Sequence, residues 1–228
     1  MSKLRENLTA VQAGIRAAAV AAGRPEDSVK LLVVSKTMPL NLLQDLYALG
    51  IREFGENREP ELELKAAAMP EDVIWHFIGP VQSNKIRKVV KRAGVIHSVD
   101  SVEKLLKFDR IAGEEGKSPE IFLEVNVSGE VSKGGMTPDQ VIEAVKAAAS
   151  CRFIKCQGLM TMAPLAAEHE ELLQIFGTLR ELRDRAEAVC GCTLPQLSMG
   201  MSGDFPEAIA CGATVVRVGS KIFAGVLK

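Results

Sequence analysis

Short apolar segments alternate with helical segments along most of the chain, and this alternation limits the folds that are available. Strands that are apolar throughout are buried on both faces, which is typical of a parallel sheet covered by helices. The predicted strands are 31–35, 52–55, 74–78, 95–99, 121–127, 153–159, 195–199 and 214–218. The predicted helices between them are 40–49, 58–68, 83–93, 101–115, 137–149, 168–189 and 204–211.

A further amphipathic helix is predicted at residues 3–22, before the first strand, and Gly23 and Pro25 end it. Eight strand–helix units without a linker between them predict an α/β fold, a single (β/α)8 TIM-type barrel with an extra N-terminal helix. We therefore expect one domain over residues 1–228. An open doubly wound sheet is the alternative, but no GxGxxG motif follows the first strand.

The composition argues against several classes of partner. A net charge of −1 and a pI of about 6.4 offer no general attraction to nucleic acid or to an anionic membrane. The N-terminus lacks the apolar core of a signal peptide, and no apolar run approaches the roughly 20 residues that span a bilayer. The five cysteines form no CxxC pair and no cluster with histidine, which argues against zinc. We expect a cytoplasmic protein.

Polar residues and glycines follow the predicted strands, at the end of a barrel where active sites lie. Lys36 comes directly after the first strand, in LLVVSKTMP. A lysine there can simply extend into solvent. Alternatively, partial desolvation in the barrel mouth would lower its pKa, and the free amine could form a Schiff base with a carbonyl compound.

The segments after the last two strands, SMGMSGDF and RVGSKIF, suit a phosphate group, because glycines let the backbone approach an anion closely. Ser202 and Ser220 add hydroxyl donors there. Arg217 lies inside the last strand, where an unpaired guanidinium would be costly, so we expect it to point into the barrel mouth towards an acceptor. It could donate to a pyridine nitrogen without protonating it. Asp204 precedes Pro206 and is predicted to be a helix N-cap.

Six motifs in the same order along the chain resemble the pyridoxal phosphate homeostasis proteins. They are VVSKT at 33–37, FGEN at 54–57, WHFIGPVQSNK at 75–85, GLMTM at 158–162, LSMGMSGDF at 197–205 and VRVGSKIF at 216–223. The resemblance implies a barrel similar to the N-terminal domain of alanine racemase, with pyridoxal 5′-phosphate (PLP) held as a Schiff base. The residues it implies in PLP binding are Lys36, Asn57, Met199, Ser202, Arg217, Gly219 and Ser220. Met162 is a further candidate neighbour, although for both methionines plain core packing is an equal alternative.

The resemblance further implies a carrier or buffer of PLP in vitamin B6 and amino-acid homeostasis rather than an enzyme. A racemase of the alanine type needs a second base from a separate domain, and this sequence ends with the barrel. Its single tyrosine, Tyr47, falls in a predicted helix. An arginine beside the ring would also leave a weak electron sink. Two enzyme alternatives stay open: a PLP-dependent racemase or decarboxylase, and a Schiff-base aldolase without PLP.

The remaining expectations concern partners and minor features. PLP-dependent apo-enzymes are candidate acceptors of the cofactor, and we expect a monomer. Lys133, in a glycine-rich loop, is either a mobile surface residue or a second aldehyde acceptor. The basic segment 84–92 is predicted to be a solvated helix face, and His76 a core or near-site histidine rather than a metal ligand.

Overall fold

The computed structural model describes residues 2–130 and 134–226, in which eight parallel strands form a closed barrel in the order β1 to β8. The predicted barrel is therefore confirmed. The strands are β1 Lys30–Val34, β2 Glu53–Glu56, β3 Ile74–Phe77, β4 Val95–Val99, β5 Glu120–Glu124, β6 Lys155–Met160, β7 Gln196–Ser198 and β8 Val215–Val218. The helices are α1 Ser2–Ala21, α2 Leu40–Ala48, α3 Glu59–Ala68, α4 Ile86–Arg92, α5 Val102–Glu114, α6 Pro138–Ala149, α7 His169–Cys190, α8 Phe205–Ala210 and α9 Ser220–Phe223.

The barrel closes because β1 pairs in parallel with β8, with Leu32 opposite Arg217. This pairing brings the first strand of the barrel next to the last, so that the residues following both lie at one edge of the mouth. Gly219 shows how close the approach is, because a Cβ on that residue would lie 2.8 Å from the carbonyl oxygen of Val34. Lys36 and the loop after β8 are therefore neighbours.

Two strand boundaries differ from the predicted ones by more than one residue. The strand expected at 153–159 begins at Lys155, because the carboxylate of Asp109 accepts the backbone N–H groups of residues 152, 153 and 154 at 2.9, 2.7 and 3.1 Å. The strand expected at 121–127 ends at Glu124. Beyond it, only an isolated bridge joins Val125 to Met136.

Strands β6 and β7 approach each other at a glycine. A Cβ on Gly158 would lie 1.7 Å from the carbonyl oxygen of Gln196, a distance that no side chain could occupy. The close contact follows a register shift between β5 and β6. Gly158 is thus required by the backbone of its neighbour.

Hydrophobic side chains form two layers. The larger layer lies between the strands and the helices and includes the stripe Leu4, Leu8, Val11, Ile15 and Ala19 of α1. Helix α1 packs on α8 and α9. A small cluster fills part of the barrel interior and consists of Leu32, Val95, Phe122, Met160 and Val215. The rest of the interior is polar, which is unusual because branched aliphatic residues usually fill such barrels.

The charged face of helix α4 is exposed to solvent, as its sequence predicts, and its side chains form surface ion pairs. Arg92 pairs with Glu63 of α3 at 2.7 Å, and Lys88 pairs with Glu59 of α3 at 2.9 Å. On the other side, Arg87 pairs with two glutamates at the C-terminal end of α5. Its positive charges are therefore largely balanced by neighbouring helices. In residues 2–130 and 134–226, no helix has the length and hydropathy needed to span a membrane.

Candidate functional site

Lys36 lies in a tight turn directly after β1. The N–H of Met38 donates to the carbonyl of Ser35 at 3.0 Å, and Thr37 adopts a left-handed conformation with φ of 66°. A non-glycine residue pays roughly 1 kcal/mol or more for that conformation, so the turn is held by its surroundings. The side chain of Lys36 is exposed. Of the two alternatives for this lysine, extension into solvent therefore describes the protein by itself.

A buried ion pair supports the turn from below. Lys65 donates to the carbonyl of Ser35 at 2.9 Å and to Oε1 of Glu56 at 2.8 Å, and the hydroxyl of Ser35 donates to the same oxygen at 2.6 Å. Burial raises the pKa of Glu56, while Lys65 and Ser35 lower it. The pair fixes the peptide that precedes Lys36. Sequence reasoning missed it, although the spacing of Leu62, Lys65 and Met69 places the lysine on the buried face of α3.

Arg217 lies inside the barrel, as its position within β8 predicts. One guanidinium nitrogen donates to the hydroxyl of Ser198 at 2.7 Å and another to the carbonyl of Thr161 at 2.9 Å. Burial lowers the pKa of Arg217 to about 10, although the carboxylates of Asp204 and Glu124 oppose this effect. A guanidinium has five N–H donors, so Arg217 keeps donors for a further acceptor in the mouth.

The loops after β7 and β8 come together at the mouth. The hydroxyl of Ser202 lies 3.5 Å from the backbone N–H of Lys221, in the first turn of α9, which starts at Ser220. Gly219 lets this turn pack against the end of β1. Asp204 occupies the N-cap position of α8 as predicted, but its carboxylate accepts the N–H of Met201 rather than a helix N–H. Asp204 therefore stabilises the loop after β7.

Two other predicted site residues lie at different depths. The side-chain oxygen Oδ1 of Asn57 is buried and has no hydrogen-bond partner in the described part of the chain. Asn57 also lines a cleft of about 480 Å3 between the loops after β2 and β3, together with Phe77 and Lys104. In contrast, Met199 is fully buried in the layer facing the helices. Because successive strand residues point to opposite faces and Ser198 points inwards, the side chain of Met199 packs in the core. Met162 is partly exposed.

Glu124, at the end of β5, is a titratable group that sequence reasoning missed. Burial raises its pKa to about 7, the charge of Asp100 adds to this, and Arg217 and Lys104 oppose it. The signal was available, because Glu120, Phe122 and Glu124 alternate along β5 and so share the inner face of the barrel. A carboxyl group of this kind changes its charge near neutral pH.

Two further residues that the sequence singled out, Tyr47 and His76, lie away from Lys36. Tyr47 donates to Asp72 at 2.8 Å and stacks under Arg52, at the end of the barrel where strands begin. His76 is buried within β3, as expected for a core histidine. Among the described residues, no three His, Cys, Asp or Glu side chains are placed to hold a metal ion. Lys133 lies outside the described residues.

The arrangement at the mouth joins an exposed amine, a buried guanidinium with free donors, two serine hydroxyls and a glycine turn. An amine can bond to a carbonyl carbon, and hydroxyl and N–H donors at a glycine turn can bind an anion. The orphaned oxygen of Asn57 can accept from a bound molecule. The site therefore suits a compact ligand that carries a carbonyl group, an acceptor for Arg217 and an anionic group.

Comparisons with known proteins show the family and the fold of the chain. The family described as alanine racemase, N-terminal domain, matches residues 6–225. A pyridoxal phosphate homeostasis protein of Aquifex aeolicus (strain VF5) is 38% identical over 219 residues, covering 96% of each chain. The structure of PipY of Synechococcus elongatus PCC7942 with PLP bound is 37% identical, with a TM-score of 0.82 over 92% of this chain and 98% of that one. Alanine racemase of Clostridium difficile 630, at 16% identity and a TM-score of 0.76 over 98% of this chain and 56% of that one, shares the fold.

Proposed function

The chain belongs to the pyridoxal phosphate homeostasis protein family, and on that premise we propose that it binds PLP and carries or buffers it. The observation that carries the proposal is the closure of the barrel by β1 and β8, which places Lys36 beside the loop that follows Arg217. PLP supplies an aldehyde, with which a lysine amine forms a Schiff base and releases water. A homologue of known structure has PLP bound.

The residues at the mouth fit this cofactor in type. We assign the covalent bond to Lys36 and a hydrogen bond to the pyridine nitrogen to Arg217, which holds donors beyond those given to Ser198 and Thr161. Ser202, Gly219 and Ser220 would hold the phosphate group. Asn57 would lie beside the ring, where its Oδ1 can accept a hydrogen bond. Met199 would contribute its backbone, because its side chain lies in the core.

We further propose that the protein holds PLP without turning over an amino acid. Arg217 cannot give its proton to the ring nitrogen, so the bound ring stays a weak acceptor of electrons. Tyr47 would be the tyrosine available as a second base, but it lies with Asp72 and Arg52 at the opposite end of the barrel from Lys36. Cofactor delivery to PLP-dependent apo-enzymes, a monomeric state and a cytoplasmic location belong to the same proposal.

The first experiment records the near-visible absorption of the purified protein after incubation with PLP. We expect a band that borohydride bleaches in the wild type and that Lys36→Ala lacks. The matched control is Lys30→Ala, which removes another exposed lysine of the same segment at the opposite end of β1 and should keep the band. Two colourless proteins would refute PLP binding, and a band retained in Lys36→Ala would refute the assignment of the lysine.

The absence of turnover is tested on the same loaded protein. Incubation with single L-amino acids, followed by chiral chromatography, should show no accumulation of D-amino acid or amine beyond that of PLP with Lys36→Ala. Catalytic release of either product would favour the racemase or decarboxylase alternative. A colourless wild type that forms a reducible adduct only with a ketone sugar would favour the aldolase.

A further inference from the structure

A chain of polar contacts crosses the inside of the barrel from the mouth to the opposite end. Arg217 donates to the hydroxyl of Ser198 at 2.7 Å, and that hydroxyl lies 2.9 Å from Nδ1 of His97. Nε2 of His97 lies 2.9 Å from Nδ1 of His76. Finally, Nε2 of His76 lies 3.2 Å from Oε2 of Glu53, which is within ion-pair distance, although this nitrogen has no hydrogen-bond partner in the described part of the chain. Five side chains from five strands therefore lie in one series of close polar contacts.

The two ends of this series favour one direction for its contacts, because a guanidinium can only donate and a carboxylate can only accept. In that direction, the hydroxyl of Ser198 accepts from Arg217 and donates its own hydrogen to Nδ1 of His97. That imidazole is then protonated on Nε2 and donates to Nδ1 of His76, whose Nε2–H lies beside the carboxylate of Glu53. Burial holds the pKa of His97 well below its ordinary value, which keeps its ring neutral. The histidine contact is also the largest cause that lowers the pKa of Glu53.

The surroundings of the series shield it from water along most of its length. The ring of His97 stacks on Phe122, with centroids 4.5 Å apart and planes 20° apart, and is fully buried. Hydrogen bonds in such a medium polarise one another more strongly than they do in water. At the far end, Glu53 and His76 line a cavity of about 350 Å3 together with Lys30 and Glu120. That cavity lies where the strands begin, opposite Lys36.

We propose that His97 and His76 are positioning residues that orient Arg217 and connect its charge to the carboxylate of Glu53. Through them, the charge at the amino-terminal end of the barrel sets the strength of the hydrogen bond that Arg217 offers to the PLP ring. This inference rests on the proposed function for the identity of the ligand, but the direction of the series does not. Asp204 and Glu124 also act on Arg217 through their charges, yet neither accepts a hydrogen bond from it.

Nitrogen NMR of the imidazoles in the PLP-free protein tests the direction first. Both rings should carry their hydrogen on Nε2, and Ser198→Ala should change the Nδ1 signal of His97. The matched control is Ser98→Ala, which removes a buried hydroxyl that has no hydrogen-bond partner and should leave that signal unchanged. A hydrogen on Nδ1 of His97 would overturn the proposal whether or not the protein binds PLP.

Glu53→Gln tests the coupling, because it keeps an acceptor for His76 and removes only the charge. The control Glu120→Gln removes a charge from the same cavity outside the series. We expect Glu53→Gln to change the dissociation constant for PLP about fivefold, at the lower end of couplings between sites, and to shift the absorption maximum of the bound PLP. Glu120→Gln should do neither. Equal effects of the two variants would overturn the positioning role. So would unchanged PLP binding and absorption in both variants when the wild type binds PLP.

Discussion

Glu124 makes the folding stability of this protein depend on pH in a predictable direction. Burial raises its pKa from 4.5 to about 7 in the folded chain. Because that pKa is raised, the folded state favours the protonated carboxyl group. The stability that this preference contributes is lost as the pH rises through 7. At about 1.4 kcal/mol per pKa unit, the difference between the unfolded and folded pKa values corresponds to about 3 kcal/mol of stability. About 2 kcal/mol of it is lost between pH 5 and pH 8.

The test compares the wild type with Glu124→Gln, in which the side chain stays neutral at every pH. Urea unfolding of the PLP-free proteins at pH 5 and pH 8, followed by circular dichroism, gives the free energy of unfolding. We expect the variant to gain about 2 kcal/mol relative to the wild type on going from pH 5 to pH 8. Glu181→Gln, on the exposed face of α7, is the control and should show no such gain. A constant difference between Glu124→Gln and the wild type would refute the burial argument.

Three further predictions concern stability and use the same unfolding measurement. Gly158→Ala should prevent normal folding, because β7 approaches this position too closely for a side chain. The control Gly177→Ala, in an open position of α7, should raise the free energy of unfolding by roughly 0.5–1 kcal/mol. A Gly158→Ala variant that folds normally would contradict the strand contact. Asp109→Ala should lower the free energy of unfolding by about 2 kcal/mol, because three backbone N–H groups lose their acceptor. Asp109→Asn keeps an acceptor and should lower it less. Equal losses in the two variants would contradict this role of Asp109. Lys65→Met should lower the free energy of unfolding by about 3 kcal/mol at pH 8, because it leaves the buried carboxylate of Glu56 without its partner. Adding Glu56→Gln to this variant should restore most of the lost stability. No recovery would mean that the broken ion pair does not cause the loss.

Much of the candidate site could be predicted because it depends on position along the chain. Lys36 and the segment 219–223 each follow a strand, and in a parallel barrel all segments that follow strands meet at one end. The depth of a side chain was harder to predict. For Met199 the sequence left core packing and a place near the cofactor as equal alternatives, and its side chain lies in the core. For Lys36 it left solvent and a desolvated place open, and its side chain is exposed. Alternation along β7 could have decided the first question, whereas the conformation of the turn at Thr37 is not visible in the sequence.

The sequence by itself determined the barrel, because apolar periodicity is a local property that each segment carries independently of the others. It also determined the order of the strands and the end at which the polar residues gather. Only the tertiary structure decided which polar groups meet inside. Glu53, His76, His97, Ser198 and Arg217 are spread over much of the chain, and closure of the barrel with its particular stagger brings them into one series. Their charges and proton positions depend on burial and on neighbours distant in sequence, which no local pattern encodes.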